Sequence, residues 1–182
     1  MLDNYLIFNG IKYNLVETEE TSEETSEETK SDKDFQTNTF NLSNLSLQRL
    51  NGVHPRLVQT IKEAITNSPF DFVILQGFRT AEEQYKLFLQ GRKTAGKKVT
   101  NCDGYKNKSN HQAKSDGFGY AIDFGIYDKN CNGNVDWNSI NKYKAVAQHI
   151  MNVGAKNGLV IGWGGNWNNT KDYPHIELLG VK

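Results

Sequence analysis

Residues 109–123 read SNHQAKSDGFGYAID and join a polar, glycine-rich run to a short apolar patch. The polar run contains His111 and cannot form the interior of a helix, because glycine and short polar residues disfavour helices. Asp123 closes the apolar patch GYAID, twelve positions after the histidine. From these residues alone, two interpretations stay open. The stretch is either a surface loop that leads into a strand, or two metal ligands held on neighbouring backbone segments.

The length and composition set the broad class of the protein. A chain of 182 residues corresponds to one domain of ordinary size with some length to spare. It contains no run of about 18 apolar residues, so we expect no membrane-spanning helix. The N-terminus lacks a basic region and a small-residue cleavage site, which predicts synthesis in the cytoplasm without a signal peptide. Cys102 and Cys131 are too few for a disulfide framework, and we expect free thiols.

The formal net charge of zero conceals two oppositely charged parts. Residues 17–34 carry nine acidic and two basic side chains, a net charge of −7, and the remainder therefore carries +7. The acidic run contains no hydrophobic residue and cannot offset its ordering entropy by burial, so we predict a disordered linker over residues 17–37. The basic remainder either favours an anionic partner such as the bacterial cell wall, or is a solvated surface of mixed charge. No nucleic-acid-binding motif is present, and we expect no nucleic-acid partner.

The N-terminal residues 1–16 contain Asn9-Gly10 between alternating apolar residues, which predicts a β-hairpin. A two-stranded hairpin is only marginally stable in water. We therefore expect this hairpin to dock on the main domain, on a copy of itself or on a partner.

From residue 40 onward, the pattern is that of a compact domain, which we place at residues 38–182. Three amphipathic helices are predicted: one over residues 54–65, one that begins with a capping box of Thr80 and Glu83, and one that ends at Gly158. Four segments have strand composition: FDFVIL, GYAIDFGI, LVIGWGG and HIELL. Because helices and strands do not alternate regularly, we predict an α+β fold with a small, largely antiparallel sheet flanked by helices.

Two of the four histidines lie where a structural role does not suffice. His54 at a helix start and His149 within a helix are explained by packing or solvation. His111 lies in the polar run, and His175 follows Pro174 at the start of a strand, with Asp172 on the preceding turn. Two histidines and a carboxylate would give zinc three protein ligands and leave one position for water. Polar residues scattered over loops remain the alternative that these residues alone leave open.

Four ordered segments carry a resemblance to a known family. From about residue 38 to the end, the chain resembles the phage-type L-alanyl-D-glutamate peptidases of the D-alanyl-D-alanine carboxypeptidase (VanY-like) superfamily of zinc peptidases. The family's motifs G-x-R-[ST]-x-x-x-Q and S-x-H-x-x-G-x-A-x-D, and its closing tryptophan, aspartate and histidine motif, appear in the family's order. The matching segments are LSLQRLNGVHPRLVQTIKEAI, QGFRTAEEQYKLFLQGR, VTNCDG with SNHQ…GYAID, and WGGNW…DYPHIEL.

The resemblance implies a zinc site at the sheet. His111, Asp123 and His175 match the zinc ligands, and Asp172 matches the catalytic base. Glu177 is the rival carboxylate, and we rank it second, as a residue that supports a ligand, because it shares a strand face with His175. One departure is that the usual seven-residue step from histidine to aspartate is twelve here, with AKSDG inserted in the loop. A loop absorbs five residues at small entropic cost, so we keep the ligand assignment.

The resemblance also implies residues that contact the substrate. Arg79 matches the arginine that binds substrate and stabilises the oxyanion, and Ser109 would contact either the substrate or the ligand loop. Trp163 and Trp167 either line the substrate cleft or pack in the core and its loops.

The implied function is zinc-dependent hydrolysis of peptidoglycan stem peptides at the L-alanyl-D-glutamate bond, by a phage endolysin that lyses the bacterial cell wall. We expect it to act as a monomer. One alternative is a D-alanyl-D-alanine carboxypeptidase, which shares the fold. Another is a non-catalytic protein of the cell wall or the virion that keeps the fold, although the presence of every expected ligand and base argues against it.

A second candidate metal site lies in DKNCNGNVD, residues 128–136. Asp128, Asn130, Asn132 and Asp136 occupy positions that supply calcium ligands in an EF-hand loop. Ser139 stands where the bidentate glutamate is expected, and no clear helix enters the loop. The motif therefore predicts a polar hairpin turn, with a calcium site as the alternative.

Overall fold

The computed structural model describes residues 39–180 and, nearer the N-terminus, the backbone of two short strands. These strands, β1 (Tyr5–Phe8) and β2 (Ile11–Asn14), pair antiparallel. The turn between them and the predicted acidic linker at 17–37 lie outside the described residues. The division of the chain into a hairpin, a linker and a catalytic domain therefore stays a prediction.

Residues 39–180 contain four α-helices, two single-turn 3-10 helices and one four-stranded sheet. The helices are α1 (Asn44–Arg49), α2 (Pro55–Thr66), α3 (Ala81–Leu89) and α4 (Ile140–Lys156). The strands are β3 (Phe72–Gln76), β4 (Ala121–Ile126), β5 (Val160–Trp163) and β6 (His175–Leu179). The strand order is β3-β4-β6-β5, and every neighbouring pair is antiparallel. The predicted α+β fold with a small antiparallel sheet is confirmed.

The two faces of the sheet carry different kinds of side chain. Ile122, Phe124 and Ile176 are fully buried and belong to the core that α2 and α4 cover. Because side chains alternate along a strand, Asp123 and His175 point to the opposite face. The register pairs these two residues directly across β4 and β6. The core therefore fixes the strands from one side and leaves a polar pair on the other.

The start of α3 is set by the predicted capping box. Thr80 Oγ1 accepts a hydrogen bond from the Glu83 amide at 3.2 Å, and the Glu83 carboxylate accepts one from the Thr80 amide at 2.7 Å. Both bonds satisfy amide groups that have no partner within the helix. This cap fixes the short connection between β3 and α3, in which Arg79 directly precedes the capping residue.

Two expectations from composition also have an outcome. None of the helices that the structure describes is long and apolar enough to cross a membrane. Cys102 and Cys131 are free thiols, as predicted.

Candidate active site

The first part of the candidate site is a pair of side chains on neighbouring strands. His175 Nδ1 lies 3.2 Å from Asp123 Oδ1. The pair is close because Asp123 and His175 are register partners on β4 and β6, where directly opposed side chains lie closest. Pro174 contributes to this register, since its carbonyl group accepts a hydrogen bond from the Phe124 amide at 3.0 Å.

The second part is a loop that brings His111 to the strand pair. The His111 carbonyl group accepts a hydrogen bond from the Arg79 amide at 2.9 Å, and the Asn110 carbonyl group accepts one from the Tyr120 amide at 2.6 Å. Gly119 passes so close that a Cβ atom on it would lie 2.5 Å from the His111 carbonyl oxygen. Only glycine permits this approach, so the loop is fixed on both sides of the histidine.

The extra residues of the loop form a turn of their own. The Lys114 amide donates to the Phe118 carbonyl group at 2.9 Å, and the Gly117 amide donates to the Lys114 carbonyl group at 3.0 Å. A Cβ atom on Gly117 would have no neighbour within 4 Å. The tip of this turn, at Gly117, is therefore open to solvent.

Three potential ligand atoms meet at one point. His111 Nε2 lies 3.3 Å from Asp123 Oδ1 and 3.3 Å from His175 Nδ1, which completes a triangle with the 3.2 Å contact across the strands. In a tetrahedral zinc site with bonds of about 2.0–2.1 Å, ligand atoms lie about 3.3–3.4 Å apart. The donor set and its spacing therefore fit a zinc ion with three protein ligands.

The outward nitrogen atom of each imidazole has a partner that fixes the ring. His111 Nδ1 lies 2.7 Å from the Gly77 carbonyl oxygen, and His175 Nε2 lies 3.5 Å from Glu177 Oε2. A carbonyl or carboxylate oxygen accepts the proton on that nitrogen and leaves the inward nitrogen free to bind a metal. Glu177 also accepts a hydrogen bond from the Asn110 side chain, whose oxygen accepts one from Lys114.

Hydrogen bonds between the candidate ligands shift the pKa values of Asp123 and His175. Burial opposes ionisation of Asp123, but its hydrogen bonds to His111 and His175 outweigh burial and hold its pKa well below the usual range. Burial likewise disfavours the charged form of His175, but hydrogen bonds to Asp123 and Glu177 raise its pKa to about 9. A metal ion needs the neutral form of His175, so metal binding would compete with protonation of this imidazole.

Asp172 lies on the turn that leads into β6. Its carbonyl group accepts a hydrogen bond from the His175 amide at 3.2 Å, and its amide donates to Gly164 at 3.1 Å. A Cβ atom on Gly164 would lie 2.4 Å from the Asp172 carbonyl oxygen, so a glycine is required there. Burial raises the pKa of the Asp172 carboxyl group, and the charge of Asp123 raises it further. The turn thus holds a half-buried carboxylate near the three candidate ligands, and its role as the base stays a prediction.

Arg79 is buried against a candidate ligand. Its Nη2 atom lies 3.3 Å from Asp123 Oδ2, and its Nη1 atom donates to Gln84 at 2.8 Å. The residue is about 8% exposed, and burial lowers the pKa of the guanidinium group, although Asp123 opposes this shift. Gln84 in turn donates to Thr100 and to the Cys102 carbonyl group. Arg79 therefore orients the oxygen of Asp123 that faces away from the histidines.

The remaining predicted substrate residues fall into different environments. Ser109 Oγ accepts a hydrogen bond from the His111 amide at 3.3 Å, so its contact is with the ligand loop. Trp163 is buried and donates its indole N–H to the Tyr173 carbonyl group at 2.8 Å, which corresponds to the packing alternative. Trp167 is exposed, and its ring centre lies 4.9 Å from that of His175. Of the two tryptophans, Trp167 is therefore the one with a solvent-accessible ring beside a candidate ligand.

Three further residues support the site although no sequence pattern gives them a role: Gly77, Gln84 and Asn110. The only sequence indication for Gly77 and Gln84 is that both lie within the matched motif G-x-R-[ST]-x-x-x-Q. Asn110 has no signal of its own, because its role depends on a contact with Glu177 across 67 residues of chain.

The segment weighed as a calcium site forms a turn in which Tyr127 and Val135 make an antiparallel bridge. Lys142 Nζ lies 3.1 Å from Asp136 Oδ2 and 3.6 Å from Asp128 Oδ2. Hydrogen bonds from Ser139 and Lys142 lower the pKa of Asp136 to about 2. These contacts favour the hairpin-turn alternative, because a lysine already balances both carboxylates. Calcium binding at this segment stays a prediction.

Comparison with known proteins gives a consistent set of relatives. The family model of the phage L-alanyl-D-glutamate peptidases matches residues 38–179. The chain is 33% identical over 142 residues to the peptidoglycan L-alanyl-D-glutamate endopeptidase CwlK of Bacillus subtilis (strain 168), an alignment that covers 70% of this chain and 74% of CwlK. It is 31% identical over 140 residues to the L-alanyl-D-glutamate peptidase of Escherichia phage T5, which covers 77% of this chain and 90% of that protein.

A solved structure agrees with these sequence relatives. The crystal structure of the Serratia marcescens L-Ala D-Glu endopeptidase ChiX superposes with a TM-score of 0.59 at 26% identity, and the match covers 81% of this chain and 95% of ChiX. The family match spans the sheet, the ligand loop and the turn of Asp172 together. The chain belongs to the phage L-alanyl-D-glutamate peptidase family.

Proposed function

We propose that this protein hydrolyses the L-alanyl-D-glutamate bond of peptidoglycan stem peptides in a zinc-dependent reaction. The observation that carries the proposal is the triangle of ligand atoms, 3.2–3.3 Å apart, beside a carboxylate with a raised pKa. The family, and the activities for which the relatives are named, support the assignment of L-alanyl-D-glutamate as the bond that is cleaved. Because one relative comes from a phage, we further propose that the protein is an endolysin, which reaches the cell wall through a membrane lesion made by another protein.

His111, Asp123 and His175 would hold the zinc ion. Two neutral imidazoles and one carboxylate leave a fourth coordination position open, as in catalytic zinc sites. Zinc bound there would supply Lewis acidity, which activates water and polarises a peptide carbonyl group.

Asp172 is the proposed general base. A carboxylate with a raised pKa accepts a proton from the attacking water more readily and can return it to the leaving amine. Its half-buried position and the nearby charge of Asp123 both raise that pKa. Glu177 is the poorer candidate, because it is buried and its oxygen already contacts His175 and Asn110.

The proposed roles of the other residues follow from their contacts. Arg79 orients Asp123 and places a fixed positive charge near the site, which favours the negative charge that develops on the substrate carbonyl oxygen. Trp167 offers an exposed aromatic surface beside His175 for the substrate. Ser109 holds the loop that carries His111.

The test is digestion of purified peptidoglycan, followed by mass spectrometry of the products and labelling of new amino groups. We expect new N-terminal D-glutamate residues, which disappear when zinc is removed by a chelator and return when zinc is restored. Release of terminal D-alanine without D-glutamate N-termini would instead indicate a carboxypeptidase. Wall binding without any new amino group would indicate the non-catalytic alternative.

A further inference from the structure

A cleft of about 350 Å³ lies between the start of α3 and the loop that precedes His111. Arg79 and Gln112 are among the residues that line it. Arg79 contacts Asp123, and Gln112 directly follows His111 in the chain. Two residues of the cleft wall are therefore immediate neighbours of candidate ligands.

Two cations line the cleft, and only one of them is available to a ligand. Arg79 is almost completely buried, and its two terminal nitrogens are bonded to Gln84 and Asp123. Lys108 is exposed, and its ammonium group makes no hydrogen bond or ion pair with any residue in the range 39–180. Lys114, nearby in the chain, is bonded to Asn110. Within the described part of the chain, Lys108 is thus the cation that this cleft offers to a substrate.

Lys108 lies in the same loop as His111, three residues before it. Ser109, the next residue, accepts a hydrogen bond from the His111 amide, and its own amide donates to Gln112 Oε1 at 2.9 Å. Three residue steps separate Lys108 from His111, so their Cα atoms are at most about 11 Å apart. The tight turn shortens this distance further. A lysine side chain reaches roughly 6 Å from its Cα atom, so its ammonium group can approach a substrate residue adjacent to the scissile bond.

The proposed substrate carries an anion at that position. Glutamate has two carboxyl groups, of which one continues the stem peptide and the other stays free. When the side-chain carboxyl group of the glutamate forms the next amide bond of the stem peptide, the α-carboxyl group stays free. This free group is attached to the same carbon atom as the nitrogen of the scissile bond. This carboxyl group is either ionised or, where a cell wall amidates it, neutral.

We propose that Lys108 binds the free carboxylate of the D-glutamyl residue on the leaving side of the scissile bond. Lys108 then acts as a specificity-determining residue that favours the acid over the amide. The proposal rests on the proposed function, since it names a subsite for the same substrate. It predicts that the charge of Lys108 matters for substrate binding and leaves the metal centre unaffected.

The test uses the full-length, zinc-loaded protein and two synthetic peptides. These are N-acetyl-L-alanyl-γ-D-glutamyl-L-lysine and the same peptide with the free carboxyl group of D-glutamate amidated. We expect the unmodified protein to prefer the acid by about tenfold in kcat/KM, as for a charge-assisted contact that is partly exposed to solvent. Lys108→Met should reduce this preference to about twofold or less, mainly by raising KM for the acid. Lys108→Arg should retain most of the preference.

Lys106→Met is the matched control, because Lys106 is exposed in the same loop and does not line the cleft. It should keep the preference of the unmodified protein, and zinc content should be equal in all variants. An undiminished preference in Lys108→Met, or equal cleavage of both peptides by the unmodified protein, would overturn the role of Lys108 and leave the proposed function standing. Cleavage of neither peptide by the unmodified protein would overturn both.

Discussion

The candidate metal centre combines a strand pair with a loop, and we expect the two parts to respond differently to changes in sequence. Asp123 and His175 face each other because of the register between β4 and β6. One inserted residue in either strand would point the side chain of a ligand toward the core instead. His111 depends instead on backbone contacts at both ends of its loop. Within that loop, the residues AKSDG form a local turn. We therefore expect the ligand geometry to tolerate changes of length better in the loop than in the strands.

The largest effect is expected at Asp172, on the strand side of the site. Asp172→Asn keeps the shape of the side chain but removes its ability to accept a proton. Turnover should fall by about 10² to 10⁴, because general-base catalysis typically contributes that factor. Zinc content should stay near one ion per chain, since the proposed ligands are intact. Kinetics and metal analysis of the same preparation check both points. An Asp172→Asn variant that stays active would show that another residue is the general base.

The next effect concerns the partner of His175. Glu177→Gln removes the charge that holds His175 Nε2 and should weaken zinc binding by about 10- to 100-fold, as for other residues that orient a metal ligand. Activity should recover largely in excess zinc. Competition with a coloured chelator measures the affinity. If Glu177→Gln keeps full zinc and loses all turnover, then Glu177 is the base and Asp172 is not.

Two glycines in the ligand loop give a matched pair. Gly119→Ala would place a Cβ atom 2.5 Å from the His111 carbonyl oxygen, whereas Gly117→Ala would place one in open space. Gly119→Ala should destabilise the fold by about 1–3 kcal/mol through forced backbone movement and reduce zinc affinity. Gly117→Ala should cost about 1–2 kcal/mol because Gly117 has a φ of +85°, with zinc affinity unchanged. Thermal unfolding and chelator competition separate the two, and equal zinc affinities would contradict a fixed loop.

The smallest effect is expected where the loop contacts the strand side. Lys114 binds the Asn110 side chain, which contacts Glu177 and through it His175. Lys114→Met should lower zinc affinity by only about two- to fivefold, since the charge acts through two intervening side chains. Chelator competition measures this difference, with Lys106→Met as the control of equal charge. A loss as large as that of Glu177→Gln would show that the inserted residues are essential to the centre.

The sequence predicts those parts of the structure that depend on local patterns. The capping box of Thr80 and Glu83 and the strand that contains Asp123 both follow from neighbouring residues, and both are present. The register that pairs Asp123 with His175 joins residues 52 positions apart, and only the family resemblance indicated it. Trp163 and Trp167 have the same local appearance, yet one is buried in the core and the other lies beside His175. Such differences in burial depend on tertiary packing, which cannot be predicted from the periodicity of apolar residues along the sequence.

The most direct test of the account is anomalous diffraction at the zinc absorption edge from crystals of the zinc-loaded protein. The account predicts one strong peak within about 2.0–2.2 Å of His111 Nε2, of His175 Nδ1 and of an oxygen atom of Asp123. Such a peak would show that the loop ligand and the strand pair bind the same ion. A peak at other residues, or coordination through His175 Nε2 with His111 unbound, would contradict it.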